Sequence, residues 1–407
     1  MNFYKDEVKK LWNLNLLGQG MKIGHLDTGI DGSHPAFFRR IASFRRFSYS
    51  GFKEESVPAY DTSWHGTHTA GLVSGGIVSG HPIGSAFEAQ LYAGMVIEEG
   101  NIIARILCGL DWLIDCGVQV VNLSLGLPFP TPVFKAILRA MHQHDILVVC
   151  PIGNAGAGRA HTPGYYPEVL SVGAATDDGC IAPFSGSYHL DGTPVCCKPD
   201  VIGLGVDILS AVPGGGLQTR SGTSIACAQI AGLAVLLRQS APKSSATMVK
   251  EAIISSSSPC KPEQAHRAAH GLVNPLKAWQ YLIHLMQEPS LSLLSPEENS
   301  EPSVKFIDPR LQNKCLTTPE TAICESIFVF KDKNDIRQFR YFIDSHIRTD
   351  AQNLYRVKIL KYAPVAILKA PNKLIREIIG WHSVNIASAC DIDRIALPRR
   401  GWLTAPF

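Results

Sequence analysis

The length, composition and charge of the chain exclude several classes of protein. Its 407 residues suffice for one large domain and a small one, or for two or three modest domains. With 45% hydrophobic and 18% charged residues the composition is that of an ordinary globular protein. Lysine plus arginine (38) nearly balance aspartate plus glutamate (35), so no basic stripe indicates nucleic acid as a partner. No apolar run reaches the roughly 18 residues that span a bilayer.

Short apolar strands alternate with helical patterns along about the first 280 residues. The predicted strands are Met21–Asp27, Gln90–Val96, Val118–Leu125, Ile146–Ile152, Val169–Ala175 and Val206–Ala211. The predicted helices are Gly66–Gly75, Ile102–Cys116, Pro132–His144, Ser224–Arg238 and Ser245–Ser255. This alternation predicts an α/β fold, a parallel sheet with helices on both faces. In such sheets functional residues gather at the carboxyl ends of the strands.

A segment rich in serine, proline and glutamate, 287–303, separates a predicted domain 1–286 from a smaller one, 304–407. The smaller domain has its own order of elements. Its predicted elements are strand Ser326–Lys331, helix Asn334–Ile347, strands Tyr355–Tyr362 and Val365–Ala370, helix Asn372–Gly380 and strand Ser383–Asp391. The order β-α-β-β-α-β predicts a ferredoxin-like α+β sandwich.

Two features indicate a cytoplasmic protein. If Met1 is the native start, the N-terminus lacks the basic start, apolar core and cleavage site of a signal peptide. The eleven cysteines include an adjacent pair, Cys196 and Cys197, and no CxxC spacing, which argues against both a disulfide framework and a zinc site. We therefore expect a reducing compartment and no membrane partner.

Three segments at predicted strand ends or helix starts carry groups suited to acyl transfer. Asp27 lies in "GHLDTGIDGSHP", His65 in "WHGTHTAG" and Ser224 in "SGTSIA". Taken alone, Ser224 is more commonly the N-cap of an apolar core helix than a nucleophile. A serine becomes a nucleophile when a histidine accepts its proton and a carboxylate orients that histidine. The chain supplies all three groups at one edge of the predicted sheet.

These segments resemble the subtilisin-like serine proteases, in which the triad has the chain order Asp, His, Ser. The similarity extends from about Val8 to Trp279 and includes four further segments. They are "VVNLSLG" (120–126), "PIGNAG" (151–156), "YYPEVLSVGA" (165–174) and "KPDVIGLGVDILSA" (198–211). The resemblance implies a serine endopeptidase that works through an acyl-enzyme.

The resemblance also implies a role for each matched residue. Ser224 is the implied nucleophile, His65 the general base and then acid, and Asp27 the residue that orients His65. Asn154 and the backbone N–H of Ser224 are the implied oxyanion donors. The implied substrate-binding residues are Ile103, Ile106, Ser124, Leu125, Gly126, Gly153, His161 and Thr223.

In the family an extended peptide pairs with exposed main chain on both sides of the cleft, here residues 124–126 and 101–103. Leu125, Ile103 and Ile106 would line an apolar pocket, while Gly153 walls the pocket for the residue before the cut. His161 matches the floor of that pocket. It either favours polar or acidic side chains, limits their size, or turns aside to solvent.

The chain departs from the family pattern at two places. Cys227 follows the nucleophile closely, as either a reactive thiol or an inert buried one. Ala36 replaces the calcium-binding aspartate of the family, and the loop 77–87 has no acidic residue. We therefore expect no cofactor and no strong calcium site.

The C-terminal domain resembles the family's propeptide, most clearly over residues 355–392. This implies an intramolecular inhibitor or folding chaperone whose tail, residues 393–407, lies in the cleft. The alternative is a module that recognises a substrate leader or a partner. For the whole chain, two alternatives to a protease remain open: a peptide-binding pseudoprotease, and a peptide ligase or cyclase using the same triad.

Overall fold

The structure, a computed structural model, describes residues 3–48, 54–98, 102–189, 197–287, 306–347, 355–381 and 383–389. The helices are α1 (Phe3–Asn13), α2 (His65–Ser74), α3 (Ile102–Cys116), α4 (Lys135–Gln143), α5 (Thr223–Ser240), α6 (Ala246–Ser255), α7 (Pro275–Gln287), α8 (Pro309–Thr317), α9 (Lys333–Ile347) and α10 (Asn372–Ile379). The strands are β1 (Lys22–Asp27), β2 (Ile41–Phe47), β3 (Glu54–Glu55), β4 (Ile77–Val78), β5 (His81–Pro82), β6 (Gln90–Met95), β7 (Val120–Asn122), β8 (Leu147–Pro151), β9 (Leu170–Ala175), β10 (Tyr188–His189), β11 (Cys197–Lys198), β12 (Val201–Leu204), β13 (Ile208–Val212), β14 (Gly216–Arg220), β15 (Phe306–Ile307), β16 (Ile323–Phe330), β17 (Arg356–Ile359), β18 (Val365–Pro371) and β19 (Val384–Ala389).

The first domain is built on a sheet with the order β12-β9-β8-β7-β1-β6-β2-β3. All its neighbouring strands pair in parallel except β2 and β3. Successive valines on one strand enter different cores: Val120 and Val149 pack with α5, while Val121 and Val148 pack with α3 and α4. Strands that are apolar on both faces require helices on both faces. The predicted α/β architecture is thus confirmed.

Helix α5 lies in the middle of the larger core. Nearly all its residues are buried, which accounts for a sequence that is apolar on every side. Ser224, at its second position, is only partly buried. The helix therefore presents one hydroxyl at its start while the rest of it serves as core.

One of the strands that the sequence predicted for the parallel sheet does not belong to it. The segment predicted as Val206–Ala211 forms β13, which pairs antiparallel with β14 in a separate hairpin, and the parallel sheet ends instead at β12. Gly214 and Gly215, both with positive φ, make the tight turn of this hairpin. The sequence analysis also missed β2, which pairs in parallel with β6 and contains two adjacent arginines, Arg45 and Arg46.

The C-terminal unit has the predicted β-α-β-β-α-β order. Its sheet runs β15-β19-β16-β18-β17, with antiparallel pairing among the four predicted strands. The short strand β15, paired in parallel with β19, and helix α8 are additions that the sequence analysis did not anticipate. Helices α8, α9 and α10 cover one face of the sheet with an apolar cluster of their own.

Some predictions fall outside the described residues. They are the linker beyond Gln287, residue Asn101 of one proposed substrate edge, and the tail 393–407. Within the described part of the chain, no helix is long and apolar enough to cross a membrane.

Candidate active site

The three candidate triad residues stand at the ends of elements. Asp27 is the last residue of β1, which pairs with β6 on one side and β7 on the other. His65 is the first residue of α2, and Ser224 is the second residue of α5. Helices α2 and α5 pack against each other, so all three residues lie near the carboxyl edge of the sheet.

Asp27 and His65 form a buried pair. His65 Nδ1 lies 2.7 Å from Asp27 Oδ1, and both residues are almost fully buried. Asp27 also accepts hydrogen bonds from the N–H of Thr28 (2.7 Å) and the hydroxyl of Thr69 (3.1 Å). Because an ionised carboxylate only accepts, Nδ1 carries the proton and Nε2 is the basic nitrogen of the ring.

Burial alone disfavours the charged form of each member of this pair, but the attraction between them prevails. The imidazole of His65 holds the pKa of Asp27 below its ordinary value. Asp27 in turn raises the pKa of His65. The carboxylate therefore stabilises the imidazolium that forms when His65 accepts a proton.

A close backbone approach brings the start of α2 onto β1. A Cβ on Gly66 would collide with the carbonyl oxygen of Gly29, so only glycine fits here. The N–H of Gly66 donates to Thr28 Oγ1 (2.9 Å), whose hydroxyl donates to Asp61. Asp61 also accepts from the N–H and hydroxyl of Thr67. These bonds fix the helix end that carries His65.

Asn154 contacts the start of α5. Its Oδ1 accepts hydrogen bonds from the N–H (2.9 Å) and the hydroxyl (2.7 Å) of Thr223, the residue before Ser224. Two donors on the oxygen assign the amide orientation and leave Nδ2 as a donor beside Gly222. A preorganised N–H donor next to a helix start suits the developing charge of an oxyanion.

Sequence reasoning missed a buried polar residue under the triad, His25 of β1. Its Nε2 lies 3.2 Å from the carbonyl oxygen of Gly66 and 4.0 Å from Asp27 Oδ2, and its Nδ1 lies 3.0 Å from Asn122 Nδ2. A carbonyl only accepts, so Nε2 carries the proton and Nδ1 accepts from Asn122. Burial lowers the pKa of His25, which is therefore neutral. A histidine within the apolar run "KIGHLD" was the available signal.

Asn122 extends this polar chain towards the nucleophile. Its Oδ1 accepts from the Ser124 hydroxyl (2.9 Å) and the Cys227 thiol (3.4 Å), and Ser124 Oγ lies 3.1 Å from the carbonyl oxygen of Ser224. Burial raises the pKa of the Cys227 thiol far above its ordinary value. This favours the inert of the two interpretations of Cys227.

The structure divides the remaining substrate-binding candidates into two groups. Gly126, Gly153 and His161 lie together, since a Cβ on either glycine would fall within 3 Å of His161. Ile103 and Ile106 are fully buried and Leu125 nearly so. These three belong to one apolar cluster that also includes residues of the C-terminal sheet.

At the position where the family has a calcium ligand, Ala36 lies buried in a single 3-10 turn. Across the described ranges, no group of three or more histidine, cysteine, aspartate or glutamate side chains is arranged to hold a metal ion.

A profile of the subtilase family of peptidases matches residues 18–276. The chain belongs to the subtilase family. The matched region is thus a serine protease domain of subtilisin type, and its curated relatives carry protease names.

Two of these relatives are bacterial proteases of different length. The subtilisin-like protease PopC of Myxococcus xanthus (strain DK1622) is 30% identical over 288 residues, which cover 63% of this chain and 59% of PopC. The intracellular serine protease of Paenibacillus polymyxa is 34% identical over 238 residues, covering 56% of this chain and 69% of that protein. The subtilase thus spans less than two thirds of PopC.

Among solved structures, the prenylagaramide maturation protease PagA is similar in fold. The superposition has a TM-score of 0.56 at 25% identity and covers 68% of this chain and 98% of PagA.

Proposed function

We propose that this subtilase is a serine endopeptidase that cleaves extended peptide segments through an acyl-enzyme. The observation that carries the proposal is the buried pair in which His65 Nδ1 lies 2.7 Å from Asp27 Oδ1, at the sheet edge where α5 presents Ser224. Asp27 raises the pKa of His65. Because buried groups with shifted pKa values cluster at functional sites, this pair supports a role for His65 as the proton acceptor.

In the proposed reaction, Ser224 Oγ attacks the scissile carbonyl carbon while its proton passes to His65 Nε2. Asn154 Nδ2 and the N–H of Ser224 donate to the oxyanion of the tetrahedral intermediate. His65 then gives the proton to the leaving amine as the carbon–nitrogen bond breaks, which leaves the ester. A water molecule, deprotonated by His65, hydrolyses that ester and restores Ser224.

We further propose that the C-terminal unit docks on α3 as an intramolecular inhibitor or chaperone. Asp111 of α3 supports this proposal, since its two carboxylate oxygens accept the backbone N–H groups of Lys361 (3.0 Å) and Tyr362 (2.9 Å). Burial raises the pKa of Asp111, and the two N–H donors offset part of the cost of its charge. A carboxylate that meets two backbone donors fixes the orientation of the turn between β17 and β18.

Apolar contact supports the same docking. The sheet residues Ile327, Val365 and Ile367 are fully buried in one cluster with residues of α3 and α4. At the edge, the ring of Tyr362 lies 4.8 Å from that of His144, and the guanidinium of Arg310 lies 4.4 Å from the ring of Phe129. The same cluster holds Ile103, Ile106 and Leu125, so the docked unit is continuous with the candidate apolar substrate pocket.

For the substrate, we propose a peptide precursor cut at a defined bond inside the cell. The similarity to PagA, named as a maturation protease, supports peptide processing. The similarity to a relative named as an intracellular protease supports the location. The substrate would pair its main chain with the segment Ser124–Gly126.

The test is labelling of the full chain with a fluorophosphonate, which reacts with an activated serine. We expect the wild type to be labelled and Ser224→Ala to lose labelling completely, because the nucleophile is gone. Ser221→Ala is the matched control, as it removes a neighbouring hydroxyl whose hydrogen bonds, among the described residues, are with Asp207. Equal labelling of the wild type and Ser224→Ala contradicts the proposal. No labelling of the wild type, nor of Asp111→Ala, which loosens the docked C-terminal unit, favours the pseudoprotease. Ligated products in the presence of a peptide amine would favour the ligase.

A further inference from the structure

An arginine lies beside the candidate base, on an aromatic ring. Arg220 is the last residue of β14, and its guanidinium carbon lies 4.5 Å from the centre of the Trp64 ring. Trp64 immediately precedes His65, and the two rings are 5.5 Å apart. A single aromatic ring thus separates a cation from the residue that would protonate the leaving group.

The charge of Arg220 has no carboxylate partner among the residues that the structure describes. Its Nη2 donates to the neutral amide oxygen of Gln218 (2.7 Å), while its Nε is buried and makes no hydrogen bond. A buried N–H without an acceptor costs about 1–3 kcal/mol. At the edge of the candidate site, a bound ligand would supply the missing acceptor.

The position of Arg220 decides which part of a substrate it meets. His65 gives its proton to the leaving amine, so the leaving part of the peptide passes along the His65 side of the site. The other side, near Asn154, is lined by Gly126, Gly153 and His161. Arg220 and Trp64 therefore face the residues that follow the scissile bond.

We propose that Arg220, stacked on Trp64, selects an acidic residue directly after the scissile bond. A guanidinium that lies over an aromatic ring remains charged, and guanidinium groups bind carboxylates through charge-assisted hydrogen bonds. This inference rests on the proposed endopeptidase function. It specifies, in addition, that the substrate residue after the scissile bond is negatively charged.

The test uses a pool of peptides from a digested protein, incubated with the full chain, in which each cut reports the residue that follows it. Matched peptides that differ only in Glu or Gln after the cut then give the ratio of kcat/KM. We expect the wild type to favour Glu about tenfold, as a charge-assisted hydrogen bond allows. Arg220→Gln should bring the ratio to about 1, and Arg220→Glu should favour Lys over Glu.

Arg39→Gln is the matched control, because Arg39 also stacks on an aromatic ring, Phe38, at 5.2 Å, outside the candidate site. It should keep the wild-type ratio. A labelled wild-type enzyme with no preference for acids after the cut overturns the inference and leaves the proposed function standing. A preference that survives Arg220→Gln also overturns it. Absence of Ser224-dependent fluorophosphonate labelling in both the wild type and Asp111→Ala, whose C-terminal unit is loosened, refutes the endopeptidase itself, and the inference with it.

Discussion

At the scale of single residues, His161 packs closely against Gly126 and Gly153, the residue before Asn154. A Cβ on Gly126 would lie 2.7 Å from His161 Cβ, and one on Gly153 would lie 2.6 Å from its Cγ. The imidazole therefore occupies the space between the two segments. Gly153 has φ +108°, which also favours glycine. Of the three alternatives for His161, this contact favours a limit on size.

Replacing His161 with glycine should widen this pocket. The wild type should cleave after alanine in preference to phenylalanine, and His161→Gly should shift the ratio of kcat/KM towards phenylalanine by about tenfold or more, because one to two kcal/mol of steric exclusion is removed. Matched peptides that differ only before the cut measure the ratio. Efficient cleavage after phenylalanine by the wild type would show that the ring does not fill the pocket.

At the scale of elements, α3 serves two partners. One side packs on the central sheet, and residues on its outward side bind the C-terminal unit. Asp111 lies within this contact, whereas Asp115, one turn later, binds the Tyr362 hydroxyl at a more exposed position. Asp115 also forms a surface ion pair with Lys361. A buried acceptor of two backbone N–H groups stabilises the docked state more than such an exposed pair does.

We predict that Asp111→Ala loosens the docking of the C-terminal unit. Two backbone N–H groups lose their acceptor, so the population of undocked molecules should rise about tenfold. If the unit is an inhibitor, fluorophosphonate labelling of the full chain accelerates accordingly. Asp115→Ala is the paired control and should change the rate less than about twofold. If the labelling rate is unchanged in Asp111→Ala but faster in Asp115→Ala, then Asp115 rather than Asp111 holds the C-terminal unit in place.

At the scale of the whole molecule, the two large sheets of the described residues share one apolar contact. Alternate residues of β16 face different cores: Ile327 and Val329 join the cluster around α3, and Phe328 and Phe330 join that under α9 and α10. The C-terminal sheet is therefore covered on both faces, one of them by the protease domain. An antiparallel sheet commonly leaves one face to water, whereas here that face is buried against the protease domain.

Cutting the chain between the two units should leave them together. A recognition sequence for an unrelated protease, inserted within residues 288–305, allows the cut in the folded protein. The two fragments should then elute as one species on gel filtration, because the apolar contact and the Asp111 hydrogen bonds do not depend on the linker. Separate elution in native buffer contradicts this, and separation in urea is the control for a complete cut.

Much of the fold could be predicted from the sequence. Helix α3 has the predicted bounds, and the segments of Asp27, His65 and Ser224 lie at element ends because apolar periodicity and glycine turns are local signals. The strand that became β13 was misjudged because an apolar run does not reveal its partner. His25 and Arg220 escaped notice because each acts on residues distant in sequence. The apolar run "IFVF" shows that both faces of this strand are apolar, but not what covers the second face.

The burial of both faces of the C-terminal sheet also affects how the protein is degraded in the cell. A fragment released from the contact would expose the apolar side chains of Ile327, Val365 and Ile367 to water. Exposed patches of this kind lead to aggregation or to degradation by quality-control proteases. We therefore expect the two halves to share one cellular half-life even after a nick in the linker, with no separate pool of the C-terminal fragment.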